Sequence, residues 1–249
     1  MVSSSGKQQL PAHLSDIATQ FLQRLTGGAL EQLGGVAADW FRKKRFELAV
    51  SRIEGTVEKC RKAGFENPKE VSLSVLIPWL ESASIEENSN LHEMWESLLA
   101  NSGDPRDNRK ATHRSFIRIL RQIEGPERKV LEGLHDLSAP ATTAGDNSSH
   151  RGIPEYPKNE DIRRAIEESG FEDSLSEARL NLAKMNLVRL GLCNKQDERS
   201  VLMVPTVKDE GDHSPGLVQP TPFEGPPRIH INGFGRVFYE ACQPPTTTD

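Results

Sequence analysis

The sequence predicts a mainly α protein, an N-terminal helical bundle followed by a small α+β winged-helix-like domain. Three observations carry that prediction. Between residues 15 and 137 apolar side chains recur at helical spacing, and no run alternates with period two. Residues 138–157 are dominated by Ser, Thr, Ala, Gly, Pro and Asn, the composition of an interdomain linker. Beyond them come two helical patterns, a pair of short apolar runs and a last helical pattern, the order of a winged helix-turn-helix.

Taken in order, residues 1–14 read as a disordered leader, and Ser15 caps a short helix with Ile17, Phe21, Leu22 and Leu25 on one side. A longer helical stretch spans about 29–63. It starts with small residues among Leu30, Leu33, Val36, Trp40 and Phe41, and then carries Arg42, Lys43, Lys44 and Arg45. It goes on through Phe46, Ala49, Val50, Ile53 and Val57 towards Gly64. Residues 74–83 read as a short helix that tolerates Pro78 as part of its first turn.

The hub of the chain is the next helix, about 89–101. Leu91, Met94, Trp95, Leu98 and Leu99 form its stripe, with His92, Glu93, Glu96 and Ser97 on the other faces. Asn90 with Glu93 reads as its N-cap, and Gly103-Asp104-Pro105 as its stop. Burying one large apolar side chain gains roughly 1.5–3 kcal/mol, against propensity differences below about 1 kcal/mol per residue. Docking on other helices therefore decides that this helix forms. Residues 112–123 supply Phe116, Ile119, Leu120 and Ile123 to one face. A helix started by Gly125-Pro126 then buries Val130, Leu131, Leu134 and Leu137.

In the C-terminal domain, expected over 158–243, residues 158–169 turn Ile162 and Ile166 inward. Residues 174–189 carry Leu175, Ala178, Leu182 and Met185 on one side. Short strands are expected at 191–193, 200–207 and 228–231, followed by a helix over 235–242 that buries Val237, Phe238 and Ala241. Residues 208–227, with five Pro and three Gly, read as a disordered insertion at the wing, and 244–249 as a tail.

Composition bounds the function. Residues 1–64 hold ten Lys/Arg against six Asp/Glu, and the remainder twenty-one against thirty, so any polyanion-binding patch must be local. Cys60, Cys193 and Cys242 are odd in number and far apart, which fits a reducing cytoplasm better than a disulfide framework or a metal knuckle. No signal-peptide pattern and no 18-residue apolar run is present, so the expected location is cytoplasmic, with peripheral contact at the inner membrane as an option. The histidines are scattered, His92 and Glu96 read as a surface pair, and no Gly pair precedes a phosphate-loop lysine. No catalytic residue, metal site, cofactor or small-molecule substrate is expected, and the chain reads as a non-enzyme.

Two surfaces remain. Trp40 and Phe41 followed by Arg42, Lys43, Lys44 and Arg45 are candidates for contact with an anionic membrane or another polyanion, although a core helix with a solvated basic turn has the same pattern. The Gly-rich segment before them has the composition for close helix approach and self-association or a conformational switch, although a loosely packed N-terminal helix is the reading it favours. On the helix over 174–189, Arg179, Asn181, Lys184 and Arg189 are candidates for nucleic-acid or partner contact. Glu172, Asp173 and Glu177 crowd the end that would enter a DNA groove, which favours a protein partner. A winged-helix DNA-binding regulator is the alternative reading.

The string LIPWLESASIEENSNLHEMWESLLAN (76–101) resembles the signature region of the bacterial Abi-alpha (abortive infection alpha) family of phage-resistance proteins. GGALEQLGGVAADWFRKKRFELAVSRIEG upstream and HRSFIRILRQIEGPERKVLEGL downstream are similar to its flanks, and NLVRLGLC and INGFGRVFYEAC to its C-terminal part. The resemblance implies a role in abortive infection, in which an infected bacterium stops growing or dies before releasing virus. It brings no catalytic residue with it. The arrangement then expected is a helical effector or assembly part followed by a domain that docks a partner.

Overall fold

The computed structural model describes residues 16–27, 43–106, 113–138, 156–168, 175–196 and 228–246. Among these residues helices predominate. They are α1 (Asp16–Leu25), α2 (Lys43–Lys62), α3 (Leu73–Ala83), α4 (Ser89–Gly103), α5 (Arg114–Leu120), α6 (Gly125–Leu137), α7 (Asn159–Glu168), α8 (Glu177–Arg189) and α9 (Gly233–Ala241). The two strands, β1 (Cys193–Lys195) and β2 (Ile229–Ile231), form one antiparallel pair. The chain divides into two compact units, the first of residues 1–129 with 233–249 and the second of 130–232.

The first unit is built on α4. Leu91, Met94, Trp95, Leu98 and Leu99 are all at most 2% exposed, as their spacing predicts. Burial also extends round the helix to Ser97, Ala100, Asn101 and Ser102, because α2, α3 and α9 each pack on it. A helix enclosed this far must satisfy its polar groups internally. Trp79 of α3 donates its indole N–H to the Trp95 carbonyl (2.8 Å). Asn101 donates to the carbonyls of Ala241 (2.9 Å) and Gln243 (2.7 Å), so one α4 side chain satisfies the carbonyl end of α9.

Across α2, Arg52 (2.9 Å) and Lys59 (3.7 Å) grip the carboxylate of Glu96 from either side of Gly55. A Cβ at Gly55 would collide with that carboxylate, so the missing side chain is what lets the two helices approach here. Burial pushes the Glu96 carboxyl up, and Lys59 and Arg52 pull it back down. At the far end Lys69 N–H bonds to Gly103 O (2.7 Å) and Val71 N–H to Leu25 O (2.8 Å), which straps α1 to the unit. Arg106 chelates Asp104, stacks over Phe65 (4.9 Å) and donates to Ala63 O (2.7 Å).

Several local expectations are corrected. The N-cap of α4 is Asn88, whose side chain accepts from Asn90 N–H (3.0 Å). His92 does not pair with Glu96; it meets the Glu86 carbonyl (3.0 Å), and Glu96 turns to α2. Ser72 caps α3, so Pro78 is its sixth residue, deeper than the first turn. The carbonyl that Pro78 deprives of a donor belongs to Ser74, which faces solvent. His113 caps α5, which ends at Leu120, although Ile123 remains buried. Leu137, at the last position of α6, is exposed rather than buried.

The last helix differs most. The sequence assigns it to the C-terminal domain, whereas α9 groups with the first unit through Asn101 and through Phe116, which meets Phe234 (5.6 Å) and Phe238 (5.5 Å). The division between units also falls inside α6, ahead of the expected boundary at 138. Val237, expected in the core, is exposed.

In the second unit α6 contributes Gly133, where an added Cβ would sit 3.4 Å from Ala165 and Ile166 of α7. The core collects Ile162, Ile166, Leu180, Leu187, Leu192 and Ile231. The strands pair Cys193 with Ile231 and Lys195 with Ile229. Gly191 is not in a strand. Its φ of +75° and its N–H bond to Val188 O (3.0 Å) make it the left-handed terminator of α8. The leader 1–14, most of the linker, the expected strand at 200–207 and the insertion 208–227 lie outside the described residues.

Two substitutions test the first unit by urea unfolding. Asn101→Ala removes one bond to α9 and one to the segment just after it, and should cost about 2 kcal/mol. Ser97→Ala removes a buried hydroxyl that has no hydrogen-bond partner, and should be neutral or stabilising by up to about 1 kcal/mol.

Candidate partner interface

The helix α8 begins where the Ser176 hydroxyl accepts from Arg179 N–H (3.4 Å) and ends at Gly191. Leu180, Ala183, Lys184 and Leu187 face the core. Ala178, Leu182, Met185 and Arg189, at offsets 0, 4, 7 and 11, face out, with Leu182 67% and Met185 64% exposed.

Of the side expected from the sequence, Leu175, just ahead of the helix, is buried, whereas Ala178, Leu182 and Met185 face outward. The helix carries two apolar stripes, 178–182–185 and 180–183–187, both with helical spacing. Lys184 lies in the second stripe and makes it look polar. The structure buries that stripe nonetheless, and with it Lys184, which is fully enclosed.

A polar network meets the cost of enclosing the ammonium. Lys184 Nζ donates to Asn159 Oδ1 (2.6 Å), Asn159 Nδ2 donates to Glu177 Oε1 (2.5 Å), and Arg163 binds Glu177 Oε2 (2.6 Å) and the Leu175 carbonyl (2.6 Å). Asn181 donates to Glu177 Oε1 (3.4 Å), the oxygen that Asn159 also meets. Burial drives the Lys184 pKa down to about 8, with Glu177 opposing and Arg228 adding to the drop. The hydrogen bond from Arg163 holds the Glu177 carboxyl below its usual range.

The residues singled out from the sequence therefore separate. Lys184 and Asn181 belong to the network between α7 and α8, and a fully buried Lys184 reaches no nucleic acid or partner. Arg179 is exposed, about 100° round α8 from the Ala178–Arg189 line. Arg189 is exposed at the end of that line, its guanidinium against Asn186 Oδ1 (2.7 Å). Trp40, Phe41 and Arg42 lie outside the described residues; Lys43, Lys44 and Arg45 open α2, where only the backbone is described. Sequence reasoning missed Asn159, and read Glu177 as an acidic neighbour of the groove end and not as the carboxylate of this network. The available signal was Lys184 standing four residues after Leu180 and three before Leu187, an inward position that demands a polar neighbour.

The cysteines offer no nucleophile. All three are buried and free, burial pushes the Cys60 and Cys193 thiols up to about 12 and Cys242 higher still, and a protonated thiol reacts poorly. Among the described residues no group of three His, Cys, Asp or Glu could hold a metal ion, and no helix is long and apolar enough to cross a membrane.

The sequence model of the family described as abortive infection alpha matches residues 42–242, most of the chain. No curated protein and no solved structure matches it significantly.

Lys184 gives the second unit a defined pH response. Its folded pKa, about 8, lies below the ordinary lysine value of 10.5, so between the two the unfolded chain binds more protons. Lys184 should therefore add stability as pH climbs from about 8. Above about 9 the Cys193 thiol, which burial holds protonated up to about 12, opposes it, so the net rise is expected between about pH 8 and 9. Hydrogen exchange of the α8 amides, corrected for intrinsic rate, should show that rise in the wild type, and Lys184→Met should flatten it.

Proposed function

Because the chain belongs to the abortive infection alpha family, we propose that it serves anti-phage defence as a binding protein, engaging a protein partner through the outer face of α8 and not acting as an enzyme. The observation that carries this reading is the exposure of Leu182 and Met185 on a helix whose other apolar stripe already fills the core. Two large apolar side chains held outward on a rigid helix are what a helix-in-groove or helix-on-helix contact uses as anchors.

The order α7, α8, β1, β2, with Arg179 and Arg189 outward, also supports a second reading as a winged-helix DNA-binding regulator. Withdrawal of Lys184 into the core leaves that reading two α8 cations for phosphate, and apolar side chains between them.

Phage plating separates the outcomes. Leu182→Glu with Met185→Glu should abolish protection while leaving thermal stability nearly unchanged, since both side chains are on the surface. Undiminished protection overturns the reading. A salt-sensitive gel shift with duplex DNA that Arg179→Glu with Arg189→Glu removes would establish the regulator instead.

A further inference from the structure

Beyond the α9 helix the chain continues as Gln243-Pro244-Pro245-Thr246. Neither proline has an N–H, and each biases the residue before it towards extended backbone. Such a stretch offers its surroundings carbonyl oxygens and ring surface, and the first unit meets it on those terms. Pro245 is buried, although Pro244 and Thr246 on either side are exposed. Asn101 Nδ2 donates to Gln243 O (2.7 Å), and the Arg106 guanidinium donates to Thr246 O (3.2 Å).

The receiving side is held in place by contacts that do not involve this tail. Asp104 fixes the Arg106 guanidinium through Nε (2.9 Å) and a terminal nitrogen (2.8 Å). The Ala63 carbonyl (2.7 Å) and the Phe65 ring (4.9 Å) hold it from the side of α2. Asn101 is anchored by its other bond, to Ala241 O of α9 (2.9 Å). Donors fixed in this way are a preorganised receptor, which loses little freedom when a ligand arrives.

We propose that Asn101, Arg106 and the seat of Pro245 form a docking site for an extended, proline-containing segment of a partner protein, and that the chain's own tail fills it as a built-in competitor. This site is separate from the outer face of α8 and does not depend on it. The tail defines the ligand class because it is the ligand seen in place: one buried proline ring, with backbone carbonyls on either side of it. An anionic ligand is a poorer match, since Asp104 already balances the charge of Arg106. Exchange of tails between two copies is also disfavoured. One asparagine holds both Ala241 O and Gln243 O, so the tail reaches its own groove with α9 docked. So short a tether gives the tail an effective concentration on the order of millimolar, which a partner's segment must overcome.

The test titrates a fluorescein-labelled peptide of residues 243–249 (QPPTTTD) into the full chain, followed by fluorescence polarisation. Pro245→Lys unseats the tail and leaves the receiving side intact, so this variant should bind the peptide at least about tenfold more tightly than the wild type. Pro244→Gly with Pro245→Gly removes both rings by a milder route and should show the same gain. Arg106→Lys, added to either tail variant, keeps the charge but loses the fork of donors and should cancel that gain. A peptide carrying Pro245→Lys should not bind. Equal affinity for the wild type and both tail variants, no binding to either, or binding that Arg106→Lys leaves unchanged overturns the proposal. A dimer in sedimentation equilibrium that Pro245→Lys abolishes overturns it too, because the occupant would then be a neighbouring copy's tail.

Discussion

Enclosing α4 sets the terms for the whole first unit. A helix whose apolar stripe alone is covered can leave the rest to water, but α4 is buried through Ser97, Ala100, Asn101 and Ser102 as well. An unpaired buried group costs roughly 1–3 kcal/mol, a cost that the Ser97 hydroxyl bears and that Trp95, Glu96 and Asn101 avoid through designated partners. The partners come from every neighbouring element: α3 sends the Trp79 indole, α2 sends Arg52 and Lys59 around Gly55, and α9 presents the carbonyls that Asn101 caps. The positions of those helices follow from where α4 needs donors and acceptors.

Much of this was legible in the sequence because it is local. The stripe Leu91–Leu99, the stop at Gly103-Asp104, the inward Ile162 and Ile166, and β2 at Ile229–Ile231 all rest on spacing within one element. What was not legible depends on partners far along the chain. Periodicity offered two stripes on α8 and no means of choosing, since Asn159, which makes an enclosed Lys184 tolerable, lies 25 residues away. The same holds for α9: its helical pattern was plain, but its docking depends on an asparagine 140 residues earlier. Capping failed for a smaller reason, as Asn88 and Asn90 are equally good cap residues two positions apart and only backbone geometry distinguishes them.

The candidate interface was legible in its residues and illegible in its orientation. Arg179 and Arg189 were picked out as contact residues and do face outward. The side chains between them were assigned to the core, and their exposure turns a presumed cationic reader helix into an apolar strip accompanied by two basic residues. Membership of the abortive infection alpha family supplies the biological setting, and the strip is the surface proposed to act in it.

The assignment of α9 to the first unit has a bearing on biosynthesis. Residues 130–232 are threaded between two parts of one folded body, an insertion in topological terms. During translation the ribosome completes that insertion before it makes the helix that Asn101 must cap. Until then the nascent first unit has an open flank at Phe116 and Asn101, a surface for chaperones to cover. A nick within the inserted segment would leave both halves held together noncovalently, with the severed C-terminal piece still clamped on α4.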